Sequence, residues 1–308
     1  MTGNGTNSQV TGGRFSEASM RQAARQIAAR LGVDGEQARL LRLTNNAVFA
    51  LPDAGIVIRI TRSHQLRHRV AKVTALGHWF AQNDAPTIRL APGYEQPIQA
   101  DGLHATIWTY LPPRPPPPDV TDLGTVLRLF HQLTPSDLPL PVWDPVGDAR
   151  ARLTDAEALP DPDRRFLLDW CDRLEPRITA LNQQAPPRLV HGDAHVGNLL
   201  RRHDGRAVLC DFDATCLGPW QVDLTAVPVG EARFRRPDAH TRLAAAYGYD
   251  VTTDPAWPIL REARELKMIA AAVPLLASGP NVGHEFTLRL RSIQQRDDTA
   301  RWTPFADL

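Results

Sequence analysis

The chain has 308 residues, 35 Lys plus Arg against 34 Asp plus Glu, and 43% hydrophobic residues, enough for a substantial core in one large or two medium domains. A formal net charge of +1 argues against a dedicated binder of nucleic acid or anionic membranes, and no apolar run approaches the roughly 18 residues that span a bilayer. Three cysteines without CxxC spacing (Cys171, Cys210, Cys216) give no disulfide framework and suit a reducing cytoplasm, the expected location. Lys72 and Lys267 are the only lysines, so 33 of the 35 basic residues are arginines.

Residues 1–14, rich in Gly, Asn and Thr, read as a flexible leader without the apolar core of a signal peptide. Ser16 to Leu31 has helical apolar spacing, with Ser16 a candidate N-cap and Gly32 a stop. Leu41 to Leu51 and Ile56 to Ile60 read as two strands joined by the turn Pro52-Asp53-Ala54-Gly55. A helix over about Leu66 to Gln82 follows, then strands at Ile88 to Leu90 and His104 to Leu111. The proline run over 112–118 cannot continue a helix or a central strand and marks a stiff junction. Beyond it, Asp122 to Leu133, Asp163 to Leu181, Asp238 to Tyr247 and part of Pro258 to Leu276 show helical periodicity. They are interrupted by a strand pair, Arg188 to His191 with Arg206 to Phe212. The layout predicts an α+β chain: a small antiparallel-sheet lobe over 15–111 and a mostly helical lobe over 112–308.

The second lobe carries the candidate chemistry. One apolar strand delivers His191-Gly192-Asp193 into a loop; Asn198 lies five residues after Asp193, and a second strand delivers Asp211-Phe212-Asp213 thirteen residues after Asn198. The protein-kinase catalytic loop is H-R-D-x-x-x-x-N followed by D-F-G. With Gly192 in the arginine position, the H-G-D-x-H-x-G-N pattern resembles the aminoglycoside phosphotransferase and choline kinase family, the small-molecule branch of the kinase-like fold. Gly218-Pro219-Trp220-Gln221-Val222-Asp223-Leu224 resembles the family's segment downstream of D-x-D, so the likeness runs in outline from Arg39 to Leu224.

That resemblance implies a bilobal protein-kinase-like fold and an ATP- or GTP-dependent O-phosphotransferase using Mg2+, with Asp193 orienting the acceptor hydroxyl as general base and Asn198 and Asp211 as metal ligands. Oxygen donors of this kind suit Mg2+, and a positioned hydroxyl suits phosphoryl transfer. His191, His195, Asp213 and Asp223 are expected to hold or shape the loop. In the first lobe, where a kinase has V-A-I-K, the run is Ile56-Val57-Ile58-Arg59-Ile60, making Arg59 the candidate phosphate contact, on the face opposite Ile58 and Ile60. The helix that should supply its acidic partner contains none over His68 to Leu76. Asn45 and Asn46 occupy the turn of the glycine-rich loop, and Thr109 and Leu111 close the set of expected nucleotide contacts. The lysine scarcity led to the same residue: Lys72 lies in the following helix and Lys267 near the end of the chain.

The expected partners are a nucleotide and a small hydroxylated substrate (an antibiotic, sugar or other metabolite), with neither nucleic acid nor membrane. From Thr225 onward acids and arginines are matched, so the acidic surplus that a polycationic antibiotic calls for is missing. Glu262 and Glu265, one helical turn apart, and Trp220 are the weak substrate candidates. Two other readings compete. His191-x-Asp193-x-His195 with Asp211 has the residue types of a metal-dependent hydrolase, and the altered first lobe fits a kinase-fold binding protein with weak catalysis.

Overall fold

A computed structural model of the chain describes residues 16–43, 46–61, 67–100, 102–135, 138–154, 156, 158–235, 237–278 and 280–307. The leader over 1–14 and Asn45 lie outside them. The chain divides into two compact units, Met1–Arg114 and Pro115–Leu308, with the break inside the proline run.

The first unit opens with α1 (Glu17–Arg30), which starts where a capping box forces it to. Ser16 Oγ accepts from the Ser19 amide at 3.2 Å, and Ser19 Oγ accepts from the Ser16 amide at 3.0 Å. Five strands follow, β1 (Arg39–Leu43), β2 (Asn46–Leu51), β3 (Ile56–Thr61), β4 (Ile98–Ala100) and β5 (Leu103–Thr109), with α2 (Arg67–Gln82) between β3 and β4. They form an antiparallel sheet in the order β1-β2-β3-β5-β4. The stretch Leu41 to Leu51, expected as one strand, is thus two paired ones. Ile88 to Leu90 is no strand but a single bridge, Leu90 to Trp108. Met20, Ala24 and Ile27 of α1 pack on Phe49, Ile58, Ile60 and Ile107, all essentially inaccessible to water. Each large apolar side chain buried this way contributes about 1.5–3 kcal/mol.

The second unit contains α3 (Val120–Phe130), α4 (Pro145–Thr154), α5 (Asp161–Gln183), α6 (Ala226–Phe234), α7 (Ala239–Tyr247), α8 (Trp257–Ala270) and α9 (Pro280–Gln294). Its strands are β6 (Arg188–Val190), β7 (Leu199–Arg201), β8 (Ala207–Leu209) and β9 (Cys216–Gly218). The expected pairing of the 188–191 strand with the 206–212 strand does not form. Instead β6 pairs with β9 and β7 with β8, both antiparallel. Two three-residue ladders therefore support one long loop system. Among the described residues no helix is long and apolar enough to cross a membrane.

Candidate active site

The segment after β6 is built around a glycine. Gly192 adopts φ +78°, and a Cβ there would sit 2.2 Å from the Ala214 carbonyl oxygen. A left-handed backbone and close backbone approach each favour glycine, which explains physically why the arginine of the protein-kinase motif has no place here.

Asp223, 2% exposed, lies in a short 3-10 turn (Trp220–Leu224) and holds the loop from behind. Its carboxylate accepts from the His191 amide at 2.6 Å, the Gly192 amide at 2.8 Å and His131 Nε2 at 3.0 Å. Burial opposes ionisation, but the His131 bond and the other donors outweigh it and keep the carboxyl below its ordinary range. His131 Nδ1 in turn meets the Tyr247 hydroxyl at 2.9 Å. His131 carried no motif and escaped the sequence reading; its helical position, 92 residues from Asp223, gave no local signal.

His191 is fully buried and both ring nitrogens are engaged. Nε2 lies 2.9 Å from the Cys210 carbonyl, which can only accept, so Nε2 carries the proton. Nδ1 then accepts from the Asp193 amide at 3.3 Å. Neither nitrogen is available for a metal. Among the described residues no three His, Cys, Asp or Glu side chains are grouped to hold an ion, so the hydrolase reading of His191, Asp193 and His195 finds no support.

Asn198 closes the loop. Its Nδ2 donates to the Asp193 carbonyl at 3.0 Å, which fixes the amide orientation because a carbonyl can only accept. Its Oδ1 is buried without a hydrogen-bond partner. The Asn198 carbonyl also accepts from the Cys210 amide at 2.9 Å, tying this loop to the one that presents Asp211. Asp211 takes a left-handed backbone, φ +67°, rare for a residue with a Cβ. An orphaned buried amide oxygen next to a carboxylate-bearing loop matches the hard oxygen chemistry of Mg2+. Asp213 follows in the same loop, half-buried, before β9.

Two residues that the sequence reading set aside meet at Asp193. Lys267 Nζ donates to Asp193 Oδ1 at 2.8 Å and to the Gly192 carbonyl at 2.7 Å; Arg264 Nη1 reaches the same Oδ1 at 3.1 Å. Burial would raise the Asp193 pKa, but Lys267 and then Arg264 reverse that and hold it well below the usual carboxylate range. His195 Nε2 lies 3.8 Å from Asp193 Oδ2. Burial pushes its imidazole down to about 4 against the pull of Asp193, so it is neutral at pH 7 and forms no ion pair. The available signal was the stripe Leu260, Ala263, Arg264, Lys267 on α8, one helical face with two cations on an otherwise apolar surface.

The substrate candidates Glu262, Glu265 and Trp220 have protein partners. Glu262 Oε1 accepts from Trp170 Nε1 at 2.8 Å, and its other oxygen pairs with Arg177. Glu265 pairs with the buried Arg233 at 2.8 Å. Trp220 stacks on Tyr247, ring centroids 5.4 Å apart and 15° from parallel. All three are engaged by protein groups. In the first unit Arg59 is 8% exposed, opposite Val48 and Thr106; Ile58 and Ile60 join the α1 core and Arg59 does not. Asn46 begins β2 and is buried, Thr109 ends β5, and Leu111 follows it, half-buried.

A five-stranded antiparallel unit, a helical unit and the His-Gly-Asp loop braced by a buried aspartate define a protein-kinase-like α+β fold. Residues 36–263, about three quarters of the chain, match the model of the phosphotransferase enzyme family APH, and the chain belongs to that family. Comparison with curated protein sequences finds no match. Among solved structures, the amicoumacin kinase hAmiN, in complex with AMP-PNP and Ca2+, aligns with a TM-score of 0.68 at 15% identity over 93% of this chain and 98% of its own. A microcompartment-associated aminopropanol kinase aligns at 0.63 and 18% identity, over 92% and 99% of the two chains. The aminoglycoside phosphotransferase APH(3'')-Id from Streptomyces rimosus aligns at 0.61 and 15% identity, over 82% and 98%. At such identities these likenesses speak for the fold.

Proposed function

We propose that the protein is an O-phosphotransferase that moves the terminal phosphoryl group of ATP or GTP to a hydroxyl of a small molecule. The observation that carries this reading is the Asn198 side chain: Nδ2 fastened to the Asp193 carbonyl, Oδ1 buried and without a partner. Asn198 and Asp211 would hold Mg2+, which when bound supplies charge neutralisation at the nucleotide phosphates. Asp193 is the group that orients the acceptor hydroxyl and receives its proton. Its depressed pKa makes it a weak base at neutral pH, so positioning is its larger contribution, in keeping with a loose transition state that needs little proton transfer early. Arg59, with Asn45, Asn46, Thr109 and Leu111, is assigned to the nucleotide. An arginine offers phosphate a planar fork where other kinases offer an ammonium.

The test is Mg2+-dependent nucleotide binding by calorimetry, followed by phosphoryl transfer to a panel of hydroxylated antibiotics, sugars and metabolites. Asp193→Asn should leave nucleotide affinity within a few-fold and cut turnover by about 100-fold or more. Asn198→Ala should instead weaken Mg2+-dependent nucleotide binding. Full turnover in Asp193→Asn would refute the assignment, and absent nucleotide binding would refute the activity.

A further inference from the structure

The two oxygens of the Asp193 carboxylate have different surroundings. Lys267 Nζ at 2.8 Å and Arg264 Nη1 at 3.1 Å both donate to Oδ1. A carboxylate oxygen has two lone pairs, so these donors fill it. Oδ2 accepts no hydrogen bond among the described residues, and His195 Nε2, 3.8 Å away, is beyond hydrogen-bond reach. The side chain is 35% exposed, so Oδ2 is open to a small molecule.

The anchors on Oδ1 are rigidly mounted. Arg264 and Lys267 lie three residues apart on α8 and share one helical face. Leu260, Ala263, Leu266 and Ile269 of the same helix are buried, and α8 packs on α4, α5, α6 and α9. The second acceptor of Lys267 is as firmly placed. It is the Gly192 carbonyl, 2.7 Å from Nζ, and the Gly192 amide donates to the buried Asp223 carboxylate. Asp223 thus places Gly192, Gly192 places the ammonium, and the ammonium with Arg264 places Oδ1. A loop carboxylate without such anchors turns among its staggered rotamers. With Oδ1 fixed from two directions, Oδ2 has one direction left.

We infer that Lys267 and Arg264 are positioning residues that reserve Oδ2 of Asp193 for the acceptor hydroxyl; this rests on the phosphotransferase reading above. The hydroxyl donates its hydrogen bond to Oδ2. Its oxygen forms a bond to the terminal phosphorus while the bond from that phosphorus to the bridging oxygen breaks. The proton passes to Oδ2, and the nucleoside diphosphate leaves. Neither cation touches the reacting atoms. Their contribution is orientation, where a misplacement of about 1 Å costs on the order of 100-fold in rate.

Water can stand in for the hydroxyl, so the test needs no knowledge of the acceptor: phosphate release by the full chain from Mg-ATP and Mg-GTP. Lys267→Gln and Arg264→Gln should each lower kcat by about 10- to 100-fold, with KM for the nucleotide within about two-fold. Lys267→Arg keeps the charge, but a planar fork does not meet both acceptors, so its kcat should stay at least about 5-fold below wild type. Arg261→Gln removes a charge from the same helix whose partners are Glu265 and Asp298, and should keep kcat within about two-fold. On an Asp193→Asn background, Lys267→Gln should change kcat by less than about two-fold, because the residue it acts through is gone. Urea midpoints separate turnover from folding, and Lys267→Arg carries the test if Lys267→Gln folds poorly. Wild-type kcat in Lys267→Gln or Lys267→Arg, or an undiminished loss on Asp193→Asn, would overturn the inference and leave the phosphotransferase reading in place. A wild type that binds no nucleotide, or that transfers neither to water nor to any acceptor of the panel above, would overturn both.

Discussion

Asp223→Asn tests the physical basis of the site most directly, because it changes a carboxylate to an amide of the same shape. In the wild type three donors converge on the carboxylate: the His191 amide (2.6 Å) and His131 Nε2 (3.0 Å) on Oδ2, and the Gly192 amide (2.8 Å) on Oδ1. An asparagine keeps one acceptor oxygen. With the oxygen toward Gly192, its amide nitrogen opposes the His191 N–H; turned over, it opposes the Gly192 N–H. Either way a buried backbone donor loses its partner, a cost of about 1–3 kcal/mol. The surviving bonds lose the charge that makes them roughly twice as strong as neutral ones. Together these give a loss of about 3–4 kcal/mol, a large share of the 5–15 kcal/mol that holds a typical domain folded. Urea unfolding followed by tryptophan fluorescence should show a lower midpoint with unchanged slope. A loss below about 1 kcal/mol would refute the brace.

The same residue fixes a pH dependence. Burial alone would raise the Asp223 pKa, yet His131 and the amide donors leave it depressed in the folded chain. A depressed folded pKa means that the stabilisation is fully present above the unfolded value of about 3.9 and is lost as pH falls through the folded pKa. The wild type should therefore lose stability below about pH 4 more steeply than Asp223→Asn. The variant keeps a residual acid slope, since the depressed Asp193 acts in the same direction.

Gly192→Ala should cost about 2–4 kcal/mol, from the left-handed backbone and the overlap with the Ala214 carbonyl, read as a fall in Tm. Because the strain displaces Asp193, turnover should fall by about 100-fold as well. Glu265→Ala would take the nearer carboxylate from the buried Arg233 guanidinium and leave only Asp298 at 3.8 Å and backbone carbonyls, so a stability loss of about 2–3 kcal/mol is expected, with KM for the acceptor unchanged. A raised KM at unaltered stability would return Glu265 to the substrate-contacting set.

What could be read from the residues was what lies close together along the chain. His191, Gly192, Asp193, Asn198 and Asp211 fall within 21 residues, in loops beside short apolar strands, so spacing conveyed their arrangement. The strand partners were hidden for a complementary reason. β9 is Cys216–Gly218, three residues ending in glycine, too short and too mixed to show alternation. The adjacent apolar runs 188–191 and 206–212 looked like natural partners, but each pairs with a short neighbour instead. Glu262 and Glu265 share the turn of α8 that suggested a pocket, yet Arg177 of α5 and Arg233 of α6 pair with them from 85 and 32 residues away, with Arg261 of α8 also on Glu265.

Lys267 has a place in the site that the composition did not point to. Of the 33 arginines and two lysines, the third strand carries Arg59, while Lys267 falls on α8. In the folded chain the Lys267 ammonium meets two acceptors belonging to adjacent residues, the Gly192 carbonyl at 2.7 Å and Asp193 Oδ1 at 2.8 Å. A compact, rotatable ammonium can satisfy two such divergent acceptors from one point, whereas a planar guanidinium presents its donors in a fixed fork. Arg264, approaching the same oxygen, uses a single nitrogen and leaves another unpaired. The two cations on one helical stripe are therefore not equivalent: Lys267 ties the aspartate to its own loop, while Arg264 reaches it through a single nitrogen.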